Sequence, residues 1–167
     1  MSRKLLAFVA VVLMFTQISC LKGSAECDFN PCRYVAPATE VQQVEAYLAA
    51  NAITATKHCS GMYYRVSSAG SGKEPDGCSY VFVKYTGRTT GGFVFDQQTI
   101  SPALIDLTRV VTGWRAGIPL IKPGGIISLY IPPYLAYGAQ EIKDSNGNVI
   151  VPGNSILVFD IELTSVQ

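Results

Sequence analysis

The sequence predicts an α+β fold in which an antiparallel β-sheet is closed by one short helix, with a further helical segment nearer the N-terminus. After Gly61 the chain contains runs that alternate apolar and polar residues at a spacing of two, as half-buried strands do. Gly- and Pro-rich turns separate these runs. The 9 Tyr, 7 Phe and only 15% charged residues suit a turn-rich sheet with an aromatic interior.

Length and charge limit the possible functions. A chain of 167 residues with 49% hydrophobic residues has enough apolar material for one domain with a real core. Its 13 basic residues oppose 12 acidic ones, and no Lys/Arg run extends beyond Arg3 and Lys4. Because nucleic-acid binding requires a concentrated basic surface, DNA and RNA are not expected partners.

Residues 1–19 have the pattern of a secretory signal peptide. Two basic residues precede the apolar run LLAFVAVVLMF, which is short for a membrane span; an uncleaved anchor is the alternative. The following Cys20 lies in a segment that resembles the lipobox of bacterial lipoproteins, although Gln17 stands where that pattern has an aliphatic residue. The resemblance implies lipidation of Cys20 and anchoring in the bacterial envelope, at the outer membrane on its periplasmic or surface side. Residues 20–37 would form the tether.

Four further cysteines, an even number in a chain expected to be exported, predict two disulfides. Three pairings are possible, and we expect Cys27 to bond Cys32, as a small loop in the tether, and Cys59 to bond Cys78. A zinc site is disfavoured because eighteen residues separate the second pair, and a thiol oxidoreductase because the chain has no C-x-x-C.

Residues 38–60 are expected to form a helical extension. In ATEVQQVEAYLAAN, Thr39 can cap the helix, and Val41, Val44 and Leu48 fall on one face. This apolar stripe needs a partner surface. The stripe either docks on its own domain or forms a dimer contact, so the oligomeric state stays open.

The strand-like runs are GMYYRV, YVFVKYTG, GFVFD, IISLYI and ILVFDIEL. Their alternation places Tyr85, in the second run, and Phe159, in the last, on the core side of the sheet. The stretch SNGN before the last run predicts a tight turn of its own.

A helical pattern surrounds the single tryptophan. Val110, Val111, Trp114 and Ile118 share a face at helical spacing, and Pro119 is expected to end the helix. If this helix lies across the sheet, the indole forms the floor of the cavity between them.

Residues for most enzyme chemistry are absent from the sequence. His58 is the only histidine, and no nucleophile elbow, phosphate-binding loop or zinc-protease motif occurs. We therefore expect no metal and no cofactor, and an aromatic pocket with few ionisable groups.

Four segments in order resemble the FKBP family of peptidyl-prolyl cis-trans isomerases. They are KYTGRTTGGFVFDQQ, VVTGWRAGIPLIKPGG, YIPPYLAYGA and VPGNSILVFDIEL, and the resemblance covers residues 61–167. It implies a twisted antiparallel sheet wrapped around a short helix, with the binding pocket between them.

The resemblance also implies which residues form the site. Those expected to act on the substrate are Tyr85, Asp96, Trp114, Tyr137 and Phe159. Those expected to bind it are Phe95, Ile105, Val110, Val111 and Val151. One departure is that TISPALIDL has no phenylalanine, where family members often place one or two aromatic residues; Ile105 stands in one such position. Asp160, on the outer face of the last strand, is expected to be solvated scaffold.

The function implied is prolyl isomerisation that assists the folding of envelope or exported proteins. Proline-containing polypeptides would be the clients, and macrolide inhibitors the small-molecule ligands. The alternative is a peptide-binding module or chaperone that uses the same pocket without turnover.

Overall fold

The computed structural model describes residues 27–167. The signal segment 1–19, Cys20 and the first part of the tether lie outside the described residues. The strands are β1 (Thr56–Lys57), β2 (Tyr63–Ser68), β3 (Tyr80–Thr89), β4 (Val94–Asp106), β5 (Gly125–Ile131), β6 (Ile142–Lys143), β7 (Val149–Val151) and β8 (Leu157–Val166). The α-helices are α1 (Ala38–Ala50) and α2 (Thr112–Gly117), and 3-10 turns occupy Pro31–Arg33, Leu107–Arg109, Ile118–Leu120 and Pro133–Leu135.

Six strands form one antiparallel sheet in the order β1-β2-β5-β8-β3-β4. The five predicted runs all contain strands. The third run was predicted too short, because β4 continues as far as Asp106. Pro102 interrupts the apolar alternation there, and a proline is tolerated because β4 is an edge strand. A separate hairpin of β6 and β7 surrounds the predicted SNGN turn.

Helix α2 lies against β5 at very short range. A Cβ on Gly113 would stand 2.5 Å from a side-chain carbon of Ile131, and one on Gly117 would stand 2.6 Å from Leu129. Both glycines are buried and four residues apart, so they face the sheet together. The glycine before the tryptophan therefore permits this close approach.

The helix around the tryptophan begins later than predicted. It begins at Thr112, so Val110 and Val111 precede it, because Asp106 caps the 3-10 turn ahead of them and Val110 is extended. At the other end, α2 stops at Gly117, two residues before Pro119, as predicted, and Pro119 lies in the 3-10 turn that follows.

Helix α1 packs on its own domain. Val41, Val44 and Leu48 are its buried residues, as predicted, and Val44 and Leu48 form a cluster with Tyr130 of β5 and Val158 of β8. Capping by Thr39 was wrong, because the helix already starts at Ala38 and Thr39 lies inside its first turn. No helix among residues 27–167 has the length and apolar character required to cross a membrane.

The predicted disulfide pairing was wrong. The bonds join Cys27 to Cys78 and Cys32 to Cys59. Pairing by proximity in sequence overlooked how the chain before α1 packs back onto the domain. The Ala36 amide donates to the Ser60 carbonyl at 2.9 Å, which brings the second and third cysteines together.

Cys27 is held beside Cys78 by the side chain of Arg115 in α2. Its guanidinium stacks 4.0 Å from the centre of the Phe29 ring and donates through Nε to the Gly77 carbonyl at 2.6 Å. These contacts place residues 27–29 next to residues 77–78.

Candidate active site

A cavity of about 240 Å³ opens between α2 and the sheet. Its lining combines aromatic and aliphatic walls with a few polar groups. The lining residues are Tyr85, Asp96, Ile105, Arg109, Val110, Val111, Trp114, Tyr137 and Phe159.

Trp114 forms the floor of this cavity, with 4% of its surface exposed. The rings of Tyr85 and Phe159 meet it edge-on, with centroid distances of 5.0 and 5.2 Å. Aromatic pairs favour this geometry because a ring edge is positive and a ring face negative. The indole Nε1 is buried without a hydrogen-bond partner among the described residues, so ring packing, rather than a polar contact, holds the indole in place.

One wall carries a hydrogen-bonded tyrosine and carboxylate. The Tyr85 hydroxyl donates to Oδ2 of Asp96 at 2.9 Å, and Asp96 itself is exposed at the mouth of the cavity. Burial, followed by the hydrogen bond and the negative charge of Asp96, raises the pKa of Tyr85 to about 12. The phenol therefore keeps its proton at neutral pH, and the second carboxylate oxygen is left for other donors.

Tyr137 supplies a second hydroxyl. Burial and the charge of Asp96 raise the pKa of this residue, so it too is protonated at neutral pH. Its hydroxyl has no hydrogen-bond partner within residues 27–167 and is free to donate to a bound carbonyl. The 3-10 turn Pro133–Leu135, which precedes Tyr137, is held by helix α1, because Glu40 accepts a hydrogen bond from the Tyr134 amide at 2.7 Å.

Residues 72–164 match the model of the family described as FKBP-type peptidyl-prolyl cis-trans isomerase. The chain belongs to this family. It is 36% identical over 129 residues to the FKBP-type peptidyl-prolyl cis-trans isomerase FkpA of Aeromonas hydrophila, which covers 74% of this chain and 45% of that protein. It is 39% identical over 110 residues to FkpA of Escherichia coli K12, covering 65% and 38%. The chain thus spans less than half the length of these relatives.

Solved structures agree with the FKBP fold. A peptidyl-prolyl cis-trans isomerase from Pseudomonas syringae superposes with a TM-score of 0.65 at 28% identity, covering 79% of this chain and 97% of that one. FkpA from Escherichia coli gives a TM-score of 0.65 at 35% identity, covering 78% and 60%. The predicted α+β, FKBP-like fold is confirmed.

Most of the expected FKBP pocket residues line the cavity, but two do not. The Phe95 ring lies behind the wall, edge-on to Phe159 at a centroid distance of 5.6 Å. Val151 is 1% exposed and belongs to the core below the β6–β7 hairpin. Phe95 therefore supports the lining residue Phe159, and Val151 is part of the hydrophobic core. The absence of a phenylalanine in TISPALIDL leaves Ile105 as the aliphatic wall at that side.

Sequence reasoning missed Arg109. This residue ends the 3-10 turn after β4 and lines the FKBP cavity, with its side chain 85% exposed. A usable signal was its position directly before Val110 and Val111. The family resemblance implies no basic residue in the pocket, so this position was not expected to line it.

Outside the cavity, two charged features differ from simple expectations. Asp160 is not free scaffold: it accepts a hydrogen bond from Ser128 at 2.6 Å and pairs with Arg88. Cys27, Asp76 and Cys78 lie close enough to hold a metal ion, but both sulfurs are joined in a disulfide and offer no thiolate.

Proposed function

We propose that this protein is a peptidyl-prolyl cis-trans isomerase that acts on X-Pro bonds of exported or envelope proteins and assists their folding. The observation that carries the proposal is the cavity floored by Trp114 and walled by Tyr85 and Phe159, in a domain of the FKBP family. No covalent chemistry is required. Among residues 27–167, the cavity lining contains no thiol, histidine, lysine or serine, and its one carboxylate, Asp96, accepts a hydrogen bond from the Tyr85 hydroxyl.

The barrier to be lowered is that of amide rotation. An X-Pro bond has a barrier of about 18–20 kcal/mol because twisting it breaks amide resonance, and uncatalysed exchange takes tens to hundreds of seconds. In the twisted state the nitrogen is pyramidal and the carbonyl is less polarised. The twisted amide therefore loses less hydration free energy than the planar amide when it leaves water. An aromatic cavity consequently favours the twisted state over the planar one.

Polar groups at the mouth would orient the peptide. The Tyr137 hydroxyl can donate to a substrate carbonyl. The Asp96 carboxylate is held by the Tyr85 hydroxyl and keeps one oxygen for a substrate N–H. These contacts would hold the rest of the peptide in place, so that rotation takes place only about the X-Pro bond.

The proposal includes export and a lipid anchor at Cys20. The N-terminal sequence pattern supports export, and two disulfides within residues 27–78 support an oxidising compartment. Mass spectrometry of the natural N-terminus tests the anchor: a mature chain that begins at a lipidated Cys20 is expected, and an intact Met1 or an unmodified cysteine would contradict it.

The deciding experiment is cis-to-trans exchange of a short Ala-Pro peptide, measured by NMR exchange spectroscopy with the mature protein. Acceleration is expected, and Phe159→Ala should lower kcat at least as far as kcat/KM, since the wall acts on the twisted state more than on binding. A proline-mimicking macrolide should compete for the cavity. If the peptide changes Trp114 fluorescence without any acceleration, the protein is a peptide-binding module instead of an enzyme.

A further inference from the structure

The cavity has one positively charged side chain among the described residues, that of Arg109. It stands on the rim, directly before the two valines that form one wall. With 85% of its side chain exposed, the guanidinium is accessible from solvent. Apart from Asp96, the other residues that line the cavity are aromatic or aliphatic.

The fold does little to hold this guanidinium. Its one ionic contact runs from Nε to Oδ2 of Asp106, at 3.5 Å. The other oxygen of Asp106 is occupied by the amide and hydroxyl of Thr108, at 2.9 and 2.7 Å. The Asp106 side chain is 15% exposed, but the Arg109 side chain is 85% exposed, and an ion pair this long with its cation in solvent contributes little to stability. The remaining N–H groups of Arg109 have no acceptor within residues 27–167, although a guanidinium offers five donors.

A carboxylate fits these open donors. The fork of a guanidinium matches the two oxygens of a carboxylate, and arginine binds it more specifically than lysine. The cavity's own carboxylate does not fill the role: the contact found for Asp96 within residues 27–167 is with the Tyr85 hydroxyl, and the ion pair of Arg109 is with Asp106. The open donors of Arg109 are therefore accessible to a ligand at the rim of the cavity.

We infer that Arg109 selects X-Pro segments in which an acidic residue flanks the proline. This inference rests on the proposed function, since it requires the proline ring to enter the cavity. Consecutive Cα atoms are about 3.8 Å apart, so with the ring above Trp114 only the nearest residues on either side pass the rim. Aspartate or glutamate at one of these positions would pair with Arg109, and lysine there would be disfavoured.

The test compares peptides that differ only by glutamate or glutamine, placed either before or after the proline. The mature protein should show kcat/KM about two- to fivefold higher for glutamate at one of the two positions, the range of an exposed ion pair at low ionic strength. The ratio should fall toward one as salt is added, because exposed charges are screened.

Variants then test whether Arg109 causes the preference for glutamate. Arg109→Gln should bring the glutamate-to-glutamine ratio to one, and Arg109→Glu should bring it below one. Arg65→Gln is the matched control, because Arg65 is an exposed arginine on β2 that does not line the cavity; it should keep the wild-type ratio. Asp106→Asn removes the competing charge while its amide oxygen can still cap the turn, so the ratio should rise.

A wild-type ratio of one at both positions, or a ratio that survives Arg109→Gln, would overturn the inference while leaving isomerase activity intact. If no peptide is isomerised, the proposed function fails. The same ratios are then taken from dissociation constants measured by Trp114 fluorescence, and a glutamate preference that depends on Arg109 would still support selection by this residue. Equal dissociation constants would overturn it.

Discussion

Replacing Gly113 with alanine sets two effects of opposite sign against each other. In a helix, alanine is preferred over glycine by about 1 kcal/mol, and the gain is smaller here because Gly113 lies in the first turn of a six-residue helix. Against it, the new Cβ would stand 2.5, 2.7 and 2.9 Å from three carbons of Ile131, a fully buried side chain of β5.

The cost of the packing conflict should exceed the gain in helix propensity. Overpacking a core costs about 1–3 kcal/mol, and Ile131 cannot withdraw because it has no exposed side to move toward. The net result should be a loss of about 1–2 kcal/mol in the free energy of unfolding, after the helix gain is subtracted. For a domain of this size, that corresponds to a melting temperature lower by about 2–8 °C.

Urea unfolding followed by tryptophan fluorescence measures this loss, and an exchange assay measures its effect on the site. Because the indole is attached at the next residue, we expect prolyl isomerase turnover to fall as well. Gly91→Ala is the matched control, since the nearest atom to its Cβ would be 3.8 Å away. In Gly113→Ala combined with Ile131→Ala, the new methyl enters vacated space, so the double variant should be less destabilised than the sum of the single changes. A Gly113→Ala protein as stable as the wild type would refute the close-packing argument.

The remaining predictions concern the carboxylate, a disulfide and a tyrosine. Asp96→Asn should lower kcat about tenfold, near the lower end for a hydrogen bond to a charged group, whereas Glu162→Gln, an exposed carboxylate on β8, should leave it unchanged; equal effects would argue against a role for the carboxylate. Replacing Cys27 and Cys78 with serine should lower the free energy of unfolding by about 4 kcal/mol on the chain-entropy model for a separation of 51 residues, and non-reducing peptide mapping that finds another pairing would contradict the structure. The pKa of Tyr85 is raised to about 12, so its contribution to stability should be complete below pH 10 and disappear as pH rises through about 12; absorbance titration should show a phenol that ionises near pH 12 and that Tyr85→Phe removes.

The parts of the fold that could be predicted are those where local pattern and burial agree. In β8, alternation gives Leu157, Phe159, Ile161 and Leu163 one face, and all four are buried. Prediction failed where a neighbour decides the conformation. The extended backbone of Val110 follows from a 3-10 turn capped by Asp106, which periodicity does not reveal.

The disulfide pairing and the charged cavity residue Arg109 were harder to predict from the sequence. The cysteines are joined across 51 and 27 residues, and contacts such as Phe29 on Arg115 bring them together; no spacing rule encodes such contacts. Arg109 lines the cavity from the end of the 3-10 turn that follows β4, whereas its residue type alone suggests an ordinary surface charge. Family resemblance supplied the aromatic residues of the pocket, but it did not supply Arg109.

The bond between Cys27 and Cys78 determines how the domain bears mechanical load. A pull on the chain ahead of Cys27 passes through this covalent link to Cys78, two residues before β3 begins. The loop of residues 28–77, with α1, β1 and β2, is closed by the bond and cannot be drawn out while the bond is intact. Force is therefore delivered to a strand held on both sides, by β4 and by β8, where many hydrogen bonds resist together. With both disulfides reduced, the same pull would first peel α1 from the sheet and free Glu40 from the turn that precedes Tyr137.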